Sequence, residues 1–181
     1  TIYPKITLTL FNGFLLVIPL LLLRFGIPPL VHKAAGPKLD YFPPLEGFER
    51  VALNVYFITN IFLIFSPLLA RIQSQTSLAT VGWTAYGTGI VLLAASLIHY
   101  SKQSEGLVIA GIYRFSRNPM YIAYFLIFLG VSSLIGSWIH LVITGVYQIS
   151  AHWLILSEER WCQENYGQAF SDYRHKVRRY F

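Results

Sequence analysis

Residues 120–157, MYIAYFLIFLGVSSLIGSWIHLVITGVYQISAHWLILS, run for 38 positions without Lys, Arg, Asp or Glu. A bilayer core about 30 Å thick needs about 20 apolar helical residues per crossing. The run therefore holds two helices, with Gly136-Ser137 as the turn between them. Each takes about 16–20 residues, or about 24–30 Å at 1.5 Å per residue, and the first is the shorter. Outward from this pair, Leu78–Ile98 and Val51–Ala70 are free of charge, and Ile6–Phe25 carries none before Arg24. The expected fold is an all-α integral membrane protein, a bundle of about five transmembrane helices. Four spans, with 120–157 fused into one, is the alternative. The first apolar run has no small-residue cleavage site after it and reads as a span rather than a signal peptide.

Composition agrees. Of 181 residues, 55% are hydrophobic and only 12% charged, against roughly 25% charged in an ordinary soluble domain. This excludes a soluble globular surface, a disordered chain and a fibrous one. The net charge of +6 fits basic loops beside anionic lipid better than a nucleic-acid partner. With five spans, twelve basic residues fall on one side and two, Lys5 and Arg71, on the other. The positive-inside rule then places the N-terminus outside and the C-terminus in the cytoplasm. Cys162 is the single cysteine, which excludes an intrachain disulfide and a cysteine-rich zinc site, and no metal is expected.

The organisation follows. Residues 1–98 hold three N-terminal spans, with a Pro/Gly-rich cytoplasmic loop over 26–50 (Pro28-Pro29, Gly36-Pro37, Pro43-Pro44, Gly47) that reads as irregular. Residues 99–181 hold a loop, two spans and a tail. In the tail Tyr166, Phe170, Tyr173 and Val177 recur at one helical face with basic residues between them. It reads as an interfacial amphipathic helix or as a lid over a site.

Polar groups within the spans include Asn54, Asn60, His140, Gln148 and His152. For Asn54 and Asn60 the expectation is hydrogen bonding between helices, and His140 is placed near the outer interface. Gly82, Gly87 and Gly89 lie inside an apolar helix, so a nucleotide-binding loop fails its structural context. Ala85 and Gly89 instead form a small-xxx-small pair suited to close packing.

The chemistry-bearing stretch is Glu105-Gly106-Leu107-Val108-Ile-Ala-Gly111-Ile-Tyr113-Arg114-Phe-Ser-Arg117-Asn118-Pro119-Met120-Tyr121. Pro119 suits a helix start, where its missing N–H is no loss. A helix N-terminus offers free N–H groups to a carboxylate. Glu158-Glu159 follow the charge-free run on the same side. Between these two segments, carboxylates, helix N–H groups and aromatic walls suit a ligand that is both a cation and a carboxylate.

The order G-x-Y-R-x-x-R-N-P-x-Y, a span pair, then E-E-R-x-x-x-x-x-Y-G-x-x-F-x-x-Y resembles the isoprenylcysteine carboxyl methyltransferase family, relatives of the phospholipid N-methyltransferases, over residues 99–181. The resemblance implies S-adenosylmethionine bound on the cytoplasmic side. It implies cofactor contacts at Glu105, Gly106, Leu107, Val108, Tyr113, Asn118, Pro119, Met120, Tyr121 and Glu158, with Glu158 and Glu159 as the catalytic acids. Asn118 stands where the family usually has His. Leu154 stands where eukaryotic members carry an Arg proposed for the substrate carboxylate, so Arg114, Arg117 or Arg174 is expected to supply that charge.

The implied reaction moves a methyl group to the carboxylate of a prenylated cysteine or another lipid-like acceptor, forming an ester. A carboxylate needs no base at neutral pH, so alignment in a dry pocket carries the catalysis. The bilayer supplies the acceptor's tail. A phospholipid or amine N-methyltransferase of the same fold would give the acids a base role. A nicotinamide-dependent sterol reductase would need a basic 2′-phosphate pocket. A small transporter would place its polar groups at midplane.

Overall fold

The computed structural model describes residues 13–33, 35–73, 78–103 and 106–180. The described residues form six α-helices: α1 (Phe14–Val31), α2 (Ala35–Leu39), α3 (Phe48–Phe65), α4 (Leu78–Lys102), α5 (Pro119–Ile135) and α6 (Trp138–Lys176). No strand occurs among the described residues. Among the described residues four segments are long and apolar enough to cross a membrane: α1, α3 with the 3₁₀ turn that follows it, α4 and α6. The apolar helix α5 is shorter.

The charge-free stretch divides at its glycine. Gly136 ends α5 with φ of 62°, a left-handed conformation that only glycine adopts without strain. Ser137 then caps α6, its side chain accepting from the His140 N–H. The 17 residues of α5 span about 26 Å, the short member of the pair as expected.

The first and third apolar segments run further than expected. The proposed start at Ile6 lies outside the described residues. At its other end α1 continues past Phe25 to Val31, through Gly26 and Pro28-Pro29, and α2 forms inside the segment read as irregular. Proline holds φ near −65°, a helical value, so it can extend a helix already begun while removing one hydrogen bond. The helix ends at His32, whose φ of −156° is extended. Similarly, α4 runs one turn beyond Ile98 to Lys102. The tail first continues the last span and then, past Gly167 (φ 51°, ψ −120°), forms a short helix of its own; α6 up to that break is about 43 Å long, longer than a bilayer core. Only its charge-free half, up to Ser157, fits within the apolar layer. A kink at Gly167 then turns the last two turns.

In packing order, α1 lies on α4, α4 on α5, α5 on α6, and α6 on α3. The α4–α5 seam is the tightest. A Cβ on Gly89 would lie 2.8 Å from the Ile127 N and one on Gly130 2.6 Å from the Tyr86 N. Gly82 serves the same seam against Leu134. The small residues that matter are thus Gly82, Gly89 and Gly130, whereas Gly87 faces open space. At the far end of the bundle, the Gln73 N–H donates to the Leu134 C=O (2.7 Å) and the Gly13 N–H to the Ala70 C=O (3.3 Å).

His140, at the start of α6, faces the bundle interior. It is buried, with Nδ1 2.8 Å from the Ser132 hydroxyl and Nε2 3.3 Å from the Leu63 C=O, joining α5, α6 and α3. Lipid offers no hydrogen bonds, so such a group is most stable facing protein partners. Asn60 bonds Tyr147 across helices, as expected. Asn54 is exposed on α3.

Candidate active site

The packing order leaves α1 and α3 at the two ends of an arc. Between them, α5, α6 and the connecting loops enclose a cavity of about 820 Å³, within the usual range for small-molecule sites. Its walls reach from Glu158 and Tyr113 at one end to Leu20 on α1 and Ile64 on α3.

The segment before α5 is held from two directions. Gly111 has φ of 62°, and a Cβ there would sit 2.0 Å from the His99 ring, so glycine is required on both counts. Tyr113 is buried, its C=O accepting from the Tyr173 hydroxyl at 2.6 Å. Its own hydroxyl is buried and has no hydrogen-bond partner among the described residues. Asn118 precedes Pro119 in a non-helical conformation, as a residue before proline tends to. Its side chain donates to the Arg179 C=O (3.2 Å).

The two adjacent acids have opposite surroundings. Glu158 accepts from the Tyr121 hydroxyl at 2.5 Å and, among the described residues, makes no ion pair. It lies just beyond the charge-free half of α6. Burial pushes its carboxyl up to about 7, the Tyr121 hydrogen bond pulling the other way and the Glu159 charge adding to the rise. Glu159 is also subject to burial, but hydrogen bonds from Arg179 and Arg117 outweigh it and hold this carboxyl below the usual range. Arg117 Nη2 and Arg179 Nη2 each approach Glu159 to 2.8 Å.

Around this pair the C-terminal strap closes. Arg117 Nη1 donates to the Val177 C=O (2.7 Å) and the Arg174 C=O (3.1 Å), and its backbone N–H to the Arg178 C=O (3.0 Å). His152 Nδ1 pairs with the Tyr180 hydroxyl at 2.6 Å. Phe170, Tyr173 and Val177 pack on Leu107, Cys162 and Tyr166, bringing the kinked end of α6 over the cavity. The tail thus has the placement of a lid. Arg160 ties α6 to α3 through Glu49, Nη1 lying 2.7 Å from Oε1.

Of the residues singled out in the sequence, Gly106, Leu107, Val108, Tyr113, Arg117, Asn118, Pro119, Met120, Tyr121, Glu158 and Glu159 all line the cavity. Glu105 lies outside the described residues. Arg114 and Arg174 are exposed and do not line it. Leu154 is fully buried. The sequence reading missed Arg24, Lys38, Tyr56, Asn60, Tyr100 and Arg179. For Arg24 a signal existed: with α1 running on to Val31, it is a cation inside an apolar helix, a position that by default marks function. Lys38 and Tyr100 carried none, since it is the fold that brings α2 onto the end of α4.

The fold is an all-helical membrane bundle with a cavity whose lining includes Glu158 and several tyrosines. The phospholipid methyltransferase family matches residues 55–169, more than half the chain. The chain belongs to that family, which is related to the isoprenylcysteine methyltransferases, and is a membrane methyltransferase. No curated protein and no solved structure matches it.

Proposed function

We propose that the chain uses S-adenosylmethionine to methylate the head group of a membrane amphiphile, the carboxylate of a prenylated cysteine being the first candidate. The observation that carries the reading is Glu158. Among the described residues it is a half-buried carboxylate without a cationic partner, in a cavity that Tyr113 also lines and that continues into the apolar layer. The residues present fit the cofactor. Glu158 would hold its cationic part, the first-turn N–H groups of α5 its carboxylate, and Tyr113 Oη a further polar group.

The cofactor supplies a methyl group activated on a sulfonium. Glu158 and Tyr121 fix the charge balance at the cavity's polar end, while Phe170 and Tyr173 on the kinked tail exclude water. A carboxylate acceptor forms the new O–CH₃ bond as the S–CH₃ bond breaks, and no proton moves. The family match and the raised Glu158 carboxyl favour a second reading, an amine head group such as that of phosphatidylethanolamine. There the ammonium must first lose a proton, and a carboxylate that titrates near neutrality is suited to accept it. The twelve-to-two distribution of basic residues supports a cytoplasmic site.

Labelled S-adenosylmethionine is offered to oriented vesicles with a farnesylated cysteine derivative or with phosphatidylethanolamine. Base-labile label on the first, only when cofactor is at the cytoplasmic face, is the expected result. Stable label on the amine lipid alone transfers the proposal to the second reading. Absence of cofactor binding by the purified protein refutes both.

A further inference from the structure

Three cationic side chains line the cavity among the described residues: Arg24, Lys38 and Arg117. Arg117 is committed, its guanidinium bonded to Glu159 and to the carbonyls of Arg174 and Val177. Arg24 and Lys38 have donors to spare. The guanidinium of Arg24 carries five N–H groups and gives one to Asp40, whose own side chain is 71% exposed. The Lys38 ammonium has three and gives one to the Gln103 C=O at 3.0 Å, while lying 4.7 Å from the centre of the Tyr100 ring. Lys38 is partly buried, and burial lowers its pKa.

The position of the two cations matters as much as their freedom. Arg24 shares one face of α1 with Leu20 and Leu21 on the cavity wall, where α1 confronts Tyr56 and Ile64 of α3. Leu20 is one helical turn, about 6 Å, deeper along α1 than Arg24. A ligand that places an anion at Arg24 therefore has an apolar channel directly beneath that anion. Glu158 lines the same cavity, which therefore carries both signs of charge: the acid beside Tyr121 and the bases on α1 and α2.

We propose that Arg24 and Lys38 bind the oxyanion of the methyl acceptor's head group, making the acceptor an amphiphile that carries a carboxylate or a phosphodiester. This rests on the acceptor being a membrane amphiphile. The pair lies in the N-terminal half of the chain and takes over the charge that Leu154, Arg114 and Arg174 do not bring to the cavity. It also divides the roles of the cavity's charges: Glu158 serves the cation, and Arg24 with Lys38 the anion.

The test uses the full chain in detergent and the double variant Arg24→Gln/Lys38→Gln. Four probes are titrated: N-acetyl-S-farnesylcysteine, its uncharged amide, lysophosphatidylethanolamine and monoacylglycerol. Losing charge-assisted hydrogen bonds should weaken the two anion-bearing probes roughly 10- to 150-fold. The two neutral probes and S-adenosylmethionine should bind as to wild type. Lys38→Arg on the wild-type background should retain most of the affinity. Whichever anionic probe binds wild type more tightly identifies the oxyanion. Equal losses for neutral and anionic probes would show a merely structural pair and overturn the proposal, as would unchanged affinity for both anionic probes. Failure of wild type to bind S-adenosylmethionine is a separate result and would instead strike the proposed function.

Discussion

The Tyr121 hydroxyl donates to the Glu158 carboxylate at 2.5 Å, while Glu159, the next residue, turns away to Arg117 and Arg179. Consecutive helical residues point about 100° apart, so two acids that look alike in sequence enter different environments. Both line the cavity, but among the described residues Glu158 has no cationic partner. The other is a structural knot between α6, the loop before α5 and the C-terminal strap.

For Glu158 the consequence is a pH-dependent affinity. Its carboxyl is raised from 4.5 to about 7, so below that value the site is protonated and must lose a proton to receive a cation. Affinity for S-adenosylmethionine should fall about tenfold per pH unit below 7 and level off above it. Calorimetry near pH 6 in buffers of different ionisation enthalpy should show proton release on binding. Glu158→Gln keeps the size and removes the charge. It should weaken binding by about 1.5–3 kcal/mol above pH 7, roughly 10- to 150-fold, and abolish the pH slope. Unaltered affinity in this variant would mean that Glu158 does not face the cofactor.

Glu159→Gln should behave as a stability variant. It removes the anion between Arg117 and Arg179, whose side chains are 8% and 34% exposed. An expected loss of about 2–4 kcal/mol lies toward the lower end for a broken buried pair, because Arg179 reaches water. The pH signs of the two acids also differ. Glu159 has a depressed carboxyl, so its contribution is present above the unfolded value and is lost as pH falls through the depressed one. Glu158 has a raised carboxyl, so its contribution is full below 4.5 and is lost as pH rises towards 7. Both variants should therefore match wild type at low pH, where the acids are neutral, and part from it as pH rises, Glu159→Gln falling below wild type and Glu158→Gln rising above it. Superimposable profiles would refute this division of labour.

Much of this was legible in the chain. Residues 120–157 revealed a helix pair because lipid demands an apolar run of a given length, and Gly136 marked its turn because few residues turn a helix so sharply. The cavity wall from Gly106 to Tyr121 and the pair Glu158-Glu159 stood out as polar groups bracketing that run. Three things were hidden. The helicity of 26–31 was masked by prolines, whose effect depends on whether a helix is already under way. The division between Glu158 and Glu159 depends on which side chain meets Tyr121, a tertiary fact. Lys38 comes to the cavity because the fold brings α2 to the end of α4, and local pattern carries no trace of such a contact, whereas Arg24 stands out only once α1 is seen to continue to Val31.

The seam between α4 and α5 gives a prediction that isolates packing from helix propensity. Gly87 and Gly89 lie two residues apart in the same apolar helix. Replacing a helical glycine by alanine removes backbone entropy from the unfolded chain and is favourable by roughly 0.5–1 kcal/mol where space allows. At Gly87 nothing lies within 4 Å of the new Cβ, so Gly87→Ala should raise the melting temperature slightly. At Gly89 the Cβ would come within 2.9 Å of the Ala123 C=O as well as 2.8 Å of the Ile127 N. Backbone cannot yield there without parting the helices. Gly89→Ala should therefore lower stability by about 1–3 kcal/mol despite its gain in propensity, and Gly130→Ala, on the facing helix, should do the same. Because α5 carries Pro119, Met120 and Tyr121 on its first turn, parting this seam should also weaken cofactor binding. Equal effects of alanine at positions 87 and 89 would show that the seam is looser than its geometry states.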